Sequence, residues 1–139
     1  MAGYSGTPLV QKIGIKSGDR LLLMNPPTGF DKELAPLPGD VKLASSKAIP
    51  KALPLNVAIC FTPNRKELER ALPAVKTRLA QNGMVWVSWP KKASKVPTDL
   101  NENIIRDTGL ALGLVDVKVC AINDIWSGLK FVIPVKDRK

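Results

Sequence analysis

The chain has 139 residues, 21 lysines and arginines against 12 acids, and no histidine. Its length and its 45% apolar content suit one globular domain that buries a core without disulfide or metal, which sets aside disordered and fibrous classes. The missing histidine removes the commonest general base, every Ser-His or Cys-His nucleophile pair and most zinc ligand sets.

In chain order, Thr7 reads as the cap of a short leading helix with Pro8 at its first position, and Gly14 as its stop. After the turn Ser17-Gly18-Asp19, the unbroken apolar run from Arg20 to Met24 suits a strand covered on both faces. Asn25-Pro26-Pro27-Thr28 then leads into a short helix from Phe30 to Leu34. Pro36-Leu37-Pro38-Gly39 ends it, and Asp40 to Ala44 reads as a second strand near an edge. The two prolines between Ser45 and Pro54 mark the loosest connection.

Asn56 to Phe61 is the third strand. Asn64 and Glu67 form a capping box for a helix whose Leu68, Leu72, Val75 and Leu79 repeat at helical spacing. Gly83 is expected to close that helix and Pro73 to kink it. Met84 to Trp89 is the fourth strand, and Asp99 with Glu102 opens a last helix that runs to Gly113. Asp116 to Ile122 and Leu129 to Val135 read as a hairpin joined by the turn Asn123 to Gly128. The two thiols, Cys60 and Cys120, lie inside apolar runs and are expected to be buried and reduced.

Alternating strands and helices predict a single Rossmann-like α/β domain over 1–139, with helices on both faces of a mainly parallel six-stranded sheet. The predicted strand order is 2-1-3-4-6-5, with the last strand antiparallel. No basic-then-apolar leader and no long apolar run are visible, so the expectation is a soluble cytoplasmic protein without a membrane span.

The layout resembles a shortened Rossmann-like methyltransferase domain, carried by a leading helix, the phrase Ile15-Lys16-Ser17-Gly18-Asp19-Arg20-Leu21-Leu22, and a helix followed by a closing hairpin. In that family the first strand leads into an acid and a Gly-x-Gly turn, and the second ends in an acid that holds the cofactor ribose. Here those places read Met24-Asn25-Pro26-Pro27 and Ala44-Ser45-Ser46, so no cofactor is expected and S-adenosylmethionine binding is not favoured. The strings Tyr4-Ser5-Gly6-Thr7-Pro8-Leu9, Val85-Trp86-Val87-Ser88-Trp89-Pro90-Lys91-Lys92, Gly113-Leu114-Val115-Asp116-Val117-Lys118-Val119 and Trp126-Ser127-Gly128-Leu129-Lys130 are similar to a bacterial family of unknown function, number three thousand and fifty-two in its naming series. That resemblance implies a bacterial cytoplasmic protein and supplies no activity. Asn25-Pro26-Pro27-Thr28 is also similar to the Asn-Pro-Pro-aromatic motif of amino-methylating enzymes. Thr28 stands in the aromatic position, and the motif follows the first strand instead of the fourth, so a rigid turn is the preferred reading.

Ligands of open α/β sheets sit beyond the carboxyl ends of the strands, near the point where strand order reverses. The turns expected there carry Asn25, Thr28, Asn64, Trp89, Lys91 and Lys92, with helix amides and two ammonium groups suited to a small phosphate or carboxylate. No catalytic residue and no metal ligand is assigned. The net charge of +9 also admits a nucleic-acid partner. The positives are scattered, however, and aromatics are only 5%, too few for a stacking platform. The favoured reading is a non-catalytic module that binds a small anion or a protein. A divergent methyltransferase and a nucleic-acid-associated protein are the alternatives. Of the tryptophans, Trp86 and Trp89 differ by an odd number and should point to opposite faces of their strand, and Trp126 is expected in the hairpin turn, folded back on the sheet or meeting a partner.

Overall fold

A computed structural model describes residues 8–44 and 53–138. The expected cap Thr7 and most of the proline-containing connection lie outside the described residues. Six strands, β1 (Arg20–Met24), β2 (Lys42–Ala44), β3 (Leu55–Phe61), β4 (Leu79–Pro90), β5 (Val115–Ala121) and β6 (Trp126–Val132), form one sheet in the order β2-β1-β3-β4-β6-β5. The first four run parallel, and β6 lies antiparallel between β4 and β5. Both the order and the antiparallel last strand agree with the sequence expectation.

The central strands explain their own composition. Leu21, Val57, Ala58, Ile59, Val85, Trp86 and Val87 are all at 0% exposure, because helices cover both faces of the sheet. The α1 (Leu9–Ile13) and α2 (Phe30–Leu34) side buries Ile13, Ile15, Phe30 and Leu34 against Val57, Ile59, Phe61 and Trp86. On the opposite side, α3 (Arg65–Lys76) and α4 (Glu102–Ala111) bury Leu68, Leu72, Val75 and Ile105 against Ala58, Val85, Trp89 and Phe131. Trp86 and Trp89 do face opposite layers.

Several boundaries differ from the pattern reading, each for a local physical reason. Leu79 and Gly83 belong to β4 and not to the preceding helix, which ends at Lys76. The backbone of Arg78 and Leu79 turns to pair with β3 instead, through Leu55 N donating to Arg78 O at 2.7 Å and the Leu55–Leu79 register pair. Leu79 is 6% exposed, so a strand satisfies its apolar side chain as well as a helix would. Gly83 is required for a different reason from a helix stop: a Cβ there would stand 2.7 Å from Leu55 O.

The last helix begins two residues later than expected. Asn101 is its cap, with Oδ1 accepting from Ile104 N at 2.9 Å, while Asp99 turns toward α3. At the hairpin, Trp126–Gly128 are strand and not turn, pairing with Pro90, Trp89 and Ser88. The turn is tightened instead by Asn123, whose Oδ1 accepts from both Ile125 N and Trp126 N. β2 is shortened to three residues. The leading helix has Pro8 as its cap residue, without a side-chain cap, while Gly14 ends it in the left-handed conformation at φ 92° as expected. Cys60 is buried, and burial pushes its thiol up to about 12. Cys120 is only half-buried, because it lies on the edge strand, where one side lacks a neighbouring strand. Burial raises its pKa, and Lys12 and Lys118 oppose that rise.

Candidate functional site

Strand order reverses between β1 and β3. The chain leaves β1 toward β2 on one side and returns to β3 on the other, so the carboxyl ends of β1 and β3 part company there. Met24 pairs with Cys60, Cys60 with Val87 and Phe61 with Ser88. Three of the turns named from sequence therefore do follow neighbouring strands at one edge. Pro90 pairs with Trp126, and Lys91 N donates to Ile125 O at 2.8 Å, which brings the β5–β6 turn to the same edge.

The candidate residues have separate fates there. Asn25 and Thr28 are exposed, Lys92 is exposed and Lys91 half-buried. None of the ion pairs among the described residues engages either lysine. The Asn64 side chain is already used, accepting from Glu67 N at 2.9 Å to cap α3. Trp89 is 6% exposed and packs in the core on the α3 and α4 side, so it is a core residue and not an open wall. The free amide of Arg65 at the start of α3 is claimed by Asp99 Oδ1 at 2.7 Å. The chain thus supplies a carboxylate of its own to that positive helix end.

Sequence reasoning missed three features of this edge. The spacing of Asp99 to Glu102 imitates a capping box and hides its bond to Arg65 N. Phe30, Phe61 and Trp126 form an aromatic cluster, with centroids 4.7 Å apart for the first pair and 5.1 Å for the second, both edge-to-face. Of the three, only Trp126 stands out in the sequence, since Phe30 and Phe61 look like ordinary ends of apolar runs. The Ser88 hydroxyl is fully buried and lacks a hydrogen-bond partner among the described residues, a state that costs about 1–3 kcal/mol when no compensation is present. A groove of about 530 Å³ between α3 and α4, lined by Arg65, Glu69, Pro73, Ile104, Asp107 and Thr108 among others, holds none of the candidate residues.

No protein-family model matches the sequence and no curated protein matches it at a significant level. The resemblance to the numbered bacterial family therefore stays a resemblance. Solved structures do match. A DhpI–SAH complex aligns with a TM-score of 0.62 at 11% identity, covering 94% of this chain and 85% of its own. A magnesium protoporphyrin IX methyltransferase from Synechocystis, with bound SAM, aligns at 0.60 and 10% identity, over 91% and 74%. For a putative methyltransferase from Thermoplasma acidophilum the values are 0.58 and 7%, over 88% and 71%. The architecture is thus the Rossmann-like methyltransferase fold. At these identities the likeness concerns the fold alone.

That fold implies S-adenosylmethionine, and the residues present do not fit it. Where a cofactor needs a close, amide-rich glycine turn, β1 leads into Asn25, at φ 54°, and two prolines that have no amide to donate. Past Thr28 and Gly29, Phe30 N is bonded to Pro27 O at 3.1 Å, and the Phe30 ring is fully buried against Phe61. β1 and β2 end in Met24 and Ala44, neither of which is an acid that could hold a ribose. Among the described residues, no group of three His, Cys, Asp or Glu is placed to hold a metal, and no helix is long and apolar enough to cross a membrane.

Proposed function

We propose that this chain, as a single domain over 1–139, is a non-catalytic binding module built on the methyltransferase fold, and that its carboxyl edge takes a small anionic ligand. The observation that carries the reading is the closed turn after β1, where prolines and the Phe30–Phe61–Trp126 cluster stand in place of a cofactor seat. Lys91 and Lys92 at the end of β4, with Asn25 and Thr28 two strands away, are the groups left to meet the anion. Asn64 and Trp89 support that edge from behind, by capping α3 and filling the core. A bacterial cytoplasmic setting belongs to the same proposal and rests on the resemblance to the numbered family.

Phosphate supplies the test. If the lysines form the seat, phosphate should raise the unfolding free energy in step with occupancy, by RT ln(1 + [L]/Kd), or about 2.7 kcal/mol at a hundredfold excess over Kd. The Lys91→Ala/Lys92→Ala double variant should fold normally, because neither lysine belongs to an ion pair among the described residues and charges near the surface contribute little to stability, and should lose that response. An equal gain in wild type and variant, read by thermal or denaturant unfolding, would reduce the lysines to solvated surface.

The second reading is a divergent methyltransferase. It is favoured by one specific finding: of the three matched structures described, one is a methyltransferase with bound SAM, one a complex with SAH and one a putative methyltransferase. Cofactor titration separates the two readings.

A further inference from the structure

Two lysines from different strands gather on the face of the sheet that carries Trp86. Trp86 of β4 stands opposite Lys130 of β6, and Lys130 stands opposite Lys118 of β5, so the three side chains form one row across the strands. The Lys118 ammonium lies 5.9 Å from the centroid of the Trp86 ring, which places it on that same face. Lys16, in the turn before β1, is near enough to act on Lys130 through its charge. Burial first, then Lys118 and Lys16, hold the Lys130 ammonium below the ordinary lysine pKa. None of the ion pairs among the described residues includes Lys16, Lys118 or Lys130.

Like charges set directly opposite each other weaken a sheet. A lysine on an edge strand is a common guard against unwanted pairing, and Lys118 alone would serve as that guard. Lys130 is on an inner strand and partly desolvated, so the guard role does not account for it. The row also stops at an open edge. Among the described residues β5 is the last strand, and on it Val117 is 52% and Val119 43% exposed. Val119 pairs with Leu129, a core residue of the α3 and α4 side, so it faces away from Lys118. The register shift between Asp116 and Lys118 leaves Lys118–Ala121 as the regular stretch of edge.

We propose that the β5 edge takes up an extended segment of a partner protein in which acidic and apolar residues alternate, adding a strand whose carboxylate continues the Trp86–Lys130–Lys118 row. Main-chain hydrogen bonds to the edge would supply affinity, and alternate side chains would supply specificity. The carboxylate meets Lys118 on one face while an apolar neighbour covers Val119 on the other. Charge selects this occupant over a second copy of the chain. The one carboxylate of β5, Asp116, pairs opposite Phe131 on the other face and is held by Arg106 at 2.9 Å, so self-pairing would leave the lysine row uncompensated. This surface is separate from the edge that carries Lys91 and Lys92, and the two proposals stand or fall independently.

The test uses the full chain and a fluorescein-labelled peptide of alternating glutamate and valine, read by anisotropy. The peptide is expected to bind wild type, to bind Lys118→Arg comparably, and to bind Lys118→Glu at least about tenfold more weakly. The same peptide N-methylated along its backbone keeps its charge but cannot add as a strand, and it should not bind. Four results would each overturn the proposal: no binding at millimolar peptide, equal binding of the methylated peptide, displacement by an oligothymidylate of equal charge, or a wild-type dimer in sedimentation that Lys118→Glu dissociates. The Lys118 side chain is exposed, and the far-UV spectrum of each variant confirms that the fold is kept.

Discussion

Trp86→Ala is expected to lower the unfolding free energy by about 3–5 kcal/mol, the range for deleting a large buried aromatic. Trp86 is the largest of the fully buried side chains. Its ring packs against the α1 and α2 layer, and its Nε1 donates to Ile13 O at 3.0 Å, so one residue fills the core and ties down the end of α1. Such a loss is a large share of the ~5–15 kcal/mol that holds an ordinary domain together. Trp86→Phe keeps most of the apolar volume but leaves Ile13 O without its donor, and it should cost less, about 1–3 kcal/mol. Denaturant unfolding measures both. A loss below about 1 kcal/mol for the alanine variant would contradict the placement of this ring in the core.

The second large effect has an unexpected sign. Glycine to alanine inside a helix ordinarily stabilises by about 1 kcal/mol. Gly109, inside α4, is where the helix rests on β6, and a Cβ there would stand 2.1 Å from Phe131 Cε1 and 2.4 Å from Cζ. Phe131 is itself fully buried, so its ring has nowhere to retreat. Gly109→Ala should therefore destabilise the domain, by about 2 kcal/mol net once overpacking is set against the helix gain. Adding Phe131→Leu should recover part of that loss, because the two side chains contend for one space. A Gly109→Ala protein as stable as wild type would show that α4 does not pack so closely on the sheet.

Much of this fold was legible in the sequence. The buried strands were legible as continuous apolar runs, which mark strands covered on both faces, and the antiparallel pair from the short link between the last two strands. What misled was ambiguity between local patterns. Leu79 continues the spacing of Leu68, Leu72 and Val75, yet its backbone pairs with Leu55, because the unpaired amide and carbonyl beside it have a strand to satisfy them. Asp99 and Glu102 stand at capping-box spacing, but Asn101 makes the cap and Asp99 reaches across 34 positions to Arg65. No local pattern carries a contact of that kind. The candidate edge was found for the same reason the fold was, since the turns after β1, β3 and β4 must meet in this topology. Which of its side chains stay free could not be read. Whether Trp89 walls a pocket or fills the core depends on which face of β4 looks toward α3 and α4, and the row of Lys130 and Lys118 exists only once β6 is set between β4 and β5.

The proposed function requires that the methyltransferase fold be present here without its cofactor seat. Calorimetric titration of the protein with S-adenosylmethionine and with S-adenosylhomocysteine tests it most directly. The prolines after β1, the absence of an acid at the ends of β1 and β2 and the aromatic cluster beside them predict binding weaker than about 1 mM, a free energy less favourable than about −4 kcal/mol. Micromolar affinity for either compound would contradict the account and establish the divergent-methyltransferase reading in its place.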